Sequence, residues 1–333
     1  MVHSHEFDLN PIAYAEQILA RSEAALRQAV AIVSPENPDE DPVVVFPNSS
    51  ERRADDPGLD LTDEQEEQLR SAAAELGFGR ESDRTLSEQG IVAPYLIIEG
   101  GQPHKMKAEL EVALLDLEDN KPRQQPRAII LTATPFRAIN MLDEKQSAKR
   151  LTGKTGANEY EQARDIVGTI PNIELSGGGV LPFSYDIDDG FKVTRRPSGQ
   201  FEMLGNLGPI PVILMRIDRE TLADGSYIKQ PGTADIIQII DAIARDGGET
   251  EAPIAFITSS TYEPSRSVGV ATAAIHTDRL IAIGSYGTAR LATVKGVDEP
   301  APAPITQLPG ELNKMAKDVK KLKQVLEQHT QSD

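Results

Sequence analysis

Apolar positions along the chain fall into two alternating rhythms. Ile12, Ala15, Ile18, Leu19, Leu26, Ala29 and Ile32 recur at helical spacing between Pro11 and Val33, and Ser34-Pro35 ends that run. Short unbroken apolar runs follow, each too brief for a helix: Val43-Val44-Val45-Phe46, Tyr95-Leu96-Ile97-Ile98, Ala128-Ile129-Ile130-Leu131, Val212-Ile213-Leu214-Met215, Ile254-Ala255-Phe256-Ile257 and Leu280-Ile281-Ala282-Ile283. They are rich in β-branched residues, which predicts buried strands. Between them the spacing predicts helices over 62–76, 105–117, 136–151, 234–244 and 265–275; Thr62 supplies the first N-cap and Gly77 its stop.

Continuously apolar strands alternating with helices predict an α/β fold. Its expected form is a Rossmann-like, mainly parallel sheet with helices on both faces, because a parallel crossover needs a helix and buries both sides of each strand. The predicted organisation is an N-terminal helix (1–34), an α/β core (35–298), a Pro/Ala linker (299–309) and an amphipathic C-terminal helix (310–333). Residues 153–209 interrupt the alternation: a helix at 159–167, then Ser176-Gly177-Gly178-Gly179, then a predicted hairpin pairing 191–194 with 201–204. In the last helix Leu312, Met315, Val319, Leu322 and Leu326 form a short heptad seam. Docking on its own domain and homo-oligomer formation through 310–330 both satisfy that seam.

Charge narrows the partners. The net charge of −18 repels polyanions, so nucleic acid is excluded as a general partner. Sixteen acids against five arginines between Ser34 and Gly90 read as a solvated face. No segment approaches a membrane span, and the first residues carry no basic or apolar leader, so no membrane is expected and the expected location is cytoplasmic. Cysteine is absent, which removes disulfides and thiolate chemistry. The five histidines have no metal-ligand spacing, Asp186-Ile187-Asp188-Asp189-Gly190 lacks the ligand pattern of a calcium loop, and no metal is expected. No G-x-G-x-x-G or P-loop run is present, so the cofactor stays unknown.

In open parallel sheets the ligand crevice lies outside the carboxyl ends of the strands. The segments there are Asn48 to Arg53, Glu99-Gly100-Gly101-Gln102-Pro103-His104-Lys105, Thr132-Ala133-Thr134-Pro135-Phe136-Arg137, and Thr258-Ser259-Ser260-Thr261-Tyr262-Glu263-Pro264-Ser265-Arg266. Four consecutive hydroxyls before a helix suit an anion, and Arg266 adds a planar fork for phosphate or carboxylate. Helix capping by the same hydroxyls is the plainer alternative. The candidate ligand-binding set is Gly100, Gly101, Lys105, Arg137, Thr258, Ser259, Ser260 and Arg266, with His104 and Glu99 as candidate catalytic proton carriers. Ser260 as a nucleophile lacks a G-x-S-x-G elbow.

The order of these segments resembles the YdcF and SanA/ElyC-like family. The likeness rests on a strand ending in Gly100-Gly101 with a basic helix start, the acid-bearing helix Glu159-Tyr160-Glu161-Gln162-Ala163, and Phe256-Ile257-Thr258-Ser259 followed by Tyr262 and Arg266. It spans roughly 43–284. It implies a Rossmann-like fold, a bacterial source and nucleotide-type ligands; Glu263 stands where that family commonly has histidine. Two functions follow from the whole reading. One is a small-molecule-binding protein for a phosphorylated or anionic ligand such as a nucleotide or sugar phosphate, with hydrolysis and group transfer both open. The other is a noncatalytic interaction protein assembling through its terminal helices.

Overall fold

The computed structural model describes residues 10–46, 59, 61–119, 126–139, 142–170, 173–174, 179–181, 184–187, 193–196, 201–207, 210–217, 220–221, 227–229, 232–246, 248–295 and 308–332. Among them are α1 (Pro11–Val33), α2 (Pro42–Val45), α3 (Asp63–Glu75), β1 (Tyr95–Ile98), α4 (Pro103–Asp119), β2 (Ala128–Ala133), α5 (Leu142–Thr152) and α6 (Glu159–Val167). Short strands follow: β3 (Ile173–Glu174), β4 (Gly179–Leu181), β5 (Ser184–Ile187), β6 (Val193–Arg196), β7 (Phe201–Leu207), β8 (Ile210–Arg216), β9 (Glu220–Thr221) and β10 (Tyr227–Lys229). The chain continues with α7 (Thr233–Asp246), β11 (Ile254–Ser259), α8 (Glu263–Thr277), β12 (Ile281–Tyr286), α9 (Thr288–Lys295) and α10 (Leu308–Ser332).

The main sheet runs β12-β11-β1-β2-β8-β7-β3, with β4 also on β7. β12, β11, β1, β2 and β8 are mutually parallel, so their carboxyl ends share one rim. Read from β8 to β12, those five strands lie third-second-first-fourth-fifth in chain order, and the order reverses between β1 and β11. Each strand buries both faces because side chains alternate across it. Tyr95 and Ile97 enter one core with Ile254 and Phe256; Leu96 and Ile98 enter the other with Ala255 and Ile257. The first core is covered by α1, α7, α8 and α10, the second by α4 and α6.

Local chemistry explains most boundaries. Asn10 caps α1 through Ala13 N–H at 2.8 Å. Thr62 and Gln65 form a reciprocal capping box at α3, and Gly77 ends that helix region at φ +90°.

Two expectations are corrected. Val43 to Phe46 is not a strand: Asp41 accepts from Val43 N–H at 3.0 Å and Pro42 opens a helical turn. Asn313 Nδ2 takes the carbonyls of Val43 and Phe46 at 3.1 and 2.6 Å, leaving them unavailable to a ladder, and Val44 is 69% exposed. The predicted hairpin also re-pairs. Val193–Arg196 pairs with Ser184–Ile187, whereas Phe201–Leu207 joins the main sheet antiparallel to β8. Only two residues separate Leu207 from Ile210, so that closure orders little chain. The helix expected from 136 begins at Leu142. Asn48 to Arg53, 176–178, 188–190, Phe191 and the linker up to 307 lie outside the described residues.

Among the described residues no helix is long and apolar enough to cross a membrane. The heptad seam of α10 is spent inside the fold: Leu312, Met315, Val319 and Leu322 are buried in the first core, beside α1 and α8. Its polar edges are pinned by Lys320 to Asp41 at 2.6 Å and by Lys323 to Glu23.

Candidate functional site at the strand ends

The turn leaving β1 is fixed from both sides. Gly100 N–H donates to Thr132 Oγ1 at 3.3 Å, and that hydroxyl donates on to Ile98 O at 3.2 Å. A Cβ on Gly100 would lie 2.2 Å from both Thr132 O and Glu159 Oε1, so only glycine lets the turn approach β2 this closely. Gly101 is under no such constraint; its nearest neighbour would be Lys105 Cδ at 3.9 Å.

Two arginines grip this turn. From α8, Arg266 Nε donates to Glu99 Oε2 at 2.7 Å, and from the turn after β2, Arg137 Nη1 donates to Gly101 O at 3.1 Å. Arg137 also pairs with Glu144 and, at 3.5 Å, with Glu159. Arg266 Nη1 is buried and has no acceptor in the protein. Burial works against the charge of Arg266, but Glu99 and then Glu311 hold the guanidinium firmly protonated. Lys105, in the first turn of α4, donates to Tyr262 OH.

Two buried carboxyls complete the cluster. Glu159 accepts from Thr134 N–H at 3.1 Å; burial, the largest influence, pushes its carboxyl up to about 7 in spite of Arg137. Glu109, one turn along α4 from Lys105, is 4% exposed, and its Oε2 has no protein partner. Burial first, and Glu99 second, push it well above the usual carboxylate range. Such raised carboxyls suit proton transfer near neutral pH.

The structure thus brings Glu99, Gly100, Gly101, Lys105, Arg137 and Arg266 to one place. The other expected residues are used differently. His104 is buried, with Nδ1 3.3 Å from Ser147 Oγ of α5, in the packing between α4 and α5. Ser260 Oγ donates to Arg80 O at 2.9 Å, and Ser260 O accepts from Gly79 N–H at 3.2 Å. Both hold residues 79–91, which lie across the ends of β11 and β12. Arg80 and Arg84 reach Glu263 at 2.9 and 3.0 Å, Gln89 Nε2 donates to Ile283 O at 2.9 Å, and Asp83 accepts from Gly287 N–H at 2.8 Å. Ser259 Oγ accepts from Thr261 N–H at 3.2 Å in the turn before α8, and the expected helix cap is not made: the N-cap of α8 is Tyr262, with no side-chain cap bond. Thr258 is fully buried on β11, and its hydroxyl has no protein partner.

Glu109 and Glu144 were absent from the expected set, and Glu159 entered only through the acid-bearing helix. The available signal was spacing: Glu109 lies four residues after Lys105 on one helix face, and Glu159 directly follows the N-cap Asn158. Among the described residues no group of three or more His, Asp or Glu side chains is placed to hold a metal ion.

A groove of about 700 Å³ lies at the opposite, amino ends of β11 and β12, lined by Arg245, Glu251, Pro253, Arg279 and neighbours. Its arginines serve the fold: Arg279 pairs with Asp241 at 2.8 Å and donates to the carbonyls of Ala252 and Glu249, and Arg245 also holds Asp241. The chain matches no family model, no curated protein and no solved structure.

Proposed function

We propose that this chain is a Rossmann-like protein that binds a small anionic molecule, a phosphate ester or carboxylate, in the crevice between the ends of β1 and β11. The observation that carries this reading is Arg266: its Nε is held by Glu99 while its buried Nη1 lacks an acceptor, at the point where the strand order reverses. Reversal points are where open α/β sheets leave room for ligands. A buried guanidinium N–H without a partner costs roughly 1–3 kcal/mol, which an anionic oxygen would recover. Arg137 and Lys105 add positive charge to the same rim. The likeness to the YdcF and SanA/ElyC-like family points the same way, toward a nucleotide or sugar phosphate.

Glu159 is a proton carrier that suits hydrolysis or group transfer at neutral pH, in place of His104. Assembly through the terminal helices has less support, because the seam it needs is buried in the core.

Thermal unfolding of the full chain with inorganic phosphate, nucleotides and sugar phosphates tests the reading. A ligand at a hundredfold its Kd should stabilise by about 2.7 kcal/mol. Arg266→Ala should abolish that response. No response to any of the panel, or an equal response in the variant, overturns the proposal.

A further inference from the structure

Lys105 and Tyr262 meet across the same reversal point, one from the helix after β1 and the other from the turn after β11. Lys105 Nζ donates to the phenol oxygen and lies 3.6 Å from the ring centroid; the Arg266 guanidinium lies 5.9 Å from that ring. Tyr262 is 7% exposed. Its backbone is locked: its N–H donates to Ser259 O at 2.8 Å, and its carbonyl accepts from Arg266 N–H at 2.9 Å and from Ser265 Oγ at 3.0 Å. The phenol therefore has a fixed place between two cations, supported by the first turn of a fifteen-residue helix.

The surrounding charges decide which form of the phenol this place favours. A cation in contact with a phenol favours its phenolate, and a nearby carboxylate opposes it. Glu99 is already paired with Arg266, Glu311 accepts from Ser265 Oγ at 2.7 Å, and burial drives Glu109 toward its neutral form. Tyr286, from β12, is buried beside the cluster and held neutral by that burial. Burial at 7% exposure opposes the phenolate, as it does at Tyr95, and against it stand an ammonium in direct contact with the phenol oxygen and a guanidinium near the same ring.

We propose that Tyr262 is a proton-transfer group of the crevice, held ready by Lys105. Its action on a bound molecule rests on the binding reading above; its readiness as phenolate does not. In the step, the phenolate takes the proton of a hydroxyl or water at the bound molecule. That O–H bond breaks, its electron pair stays on the attacking oxygen, and the phenol O–H forms. The attacking oxygen uses that pair to bond to the transferred group, and the phenol returns the proton to the leaving oxygen as its own bond to that group breaks. Lys105 keeps its protons throughout.

The chain has seven tyrosines and no tryptophan, so tyrosinate absorbance near 295 nm can be followed without interference. Titration of the full, ligand-free chain should show one tyrosine ionising ahead of the others, below the ordinary value of about 10. Burial holds Tyr95 and Tyr286 above that value, so neither supplies an early step. The step should vanish in Tyr262→Phe, move up in Lys105→Met and persist in Lys105→Arg. A wild-type curve with no early step overturns the proposal whether or not the variants fold. An early step that survives Tyr262→Phe overturns it as well, and one unmoved by Lys105→Met removes Lys105 from it. A phosphate panel without response, beside an intact early step, would sink only the binding reading.

Discussion

Arg266 Nε and Glu99 Oε2 stand 2.7 Å apart across the gap between β11 and β1, with side chains 14% and 19% exposed. The pair couples two segments 167 residues apart in the chain. Its partial burial makes each half dependent on the other, because a charge left alone there is poorly solvated.

Arg266→Ala should therefore destabilise the fold by about 2 kcal/mol, and Glu99→Ala by a similar amount. The double variant should lose less than the two losses added together, with a coupling of roughly 1–2 kcal/mol in urea unfolding. Full additivity would show that the ion pair does not hold the two strand ends together.

The two glycines after β1 should behave oppositely. Gly100→Ala places a methyl 2.2 Å from Thr132 O and Glu159 Oε1, neither of which can move freely. A loss of about 3 kcal/mol follows from such overpacking. Gly101→Ala meets nothing nearer than 3.9 Å and should leave the melting temperature nearly unchanged.

Glu159 predicts a pH dependence of stability. Its carboxyl rises in the fold from an ordinary value of 4.5 to about 7, so the folded chain holds the proton more tightly than the unfolded one. That contribution is complete below about 4.5 and is lost as pH rises through about 7. Relative to Glu159→Gln, the wild type should lose about 3 kcal/mol across this window and then run parallel above it. Melting curves at stepped pH measure the difference; a flat difference would place Glu159 in a solvated environment.

Leu322 is fully buried where α10 meets the core. Leu322→Ala should cost about 3 kcal/mol. The loss should be the same at every protein concentration, because the pocket is filled within one chain; a melting temperature that rises with concentration would point to self-association instead.

The parallel core was legible because strands buried on both faces leave unbroken apolar runs, as Ile254 to Ile257 does. The strand-end rule likewise located Glu99, Gly101, Arg137 and Arg266 from position alone. Val43 to Phe46 misled because its β-branched run overshadowed the local cap, Asp41-Pro42, while the other partner, Asn313, lies 270 residues from Val43. Ser260 misled for a related reason: Arg80, the residue that occupies it, comes from a loop with no apolar rhythm of its own. Glu109 and Glu144 stayed hidden because helical acids look alike until burial distinguishes them; Glu144 is 2% exposed, whereas Glu64 on α3 lies outside the core.

Helix α1, near the start of the chain, is completed by α10, near its end: both lie on α8, and Lys323 reaches back to Glu23. During synthesis the oily side of α1 must wait for almost three hundred further residues before its final cover is made. A ribosome stalled before residue 308 would display the α1 surface that α10 later covers, an invitation to chaperones that the released chain withdraws.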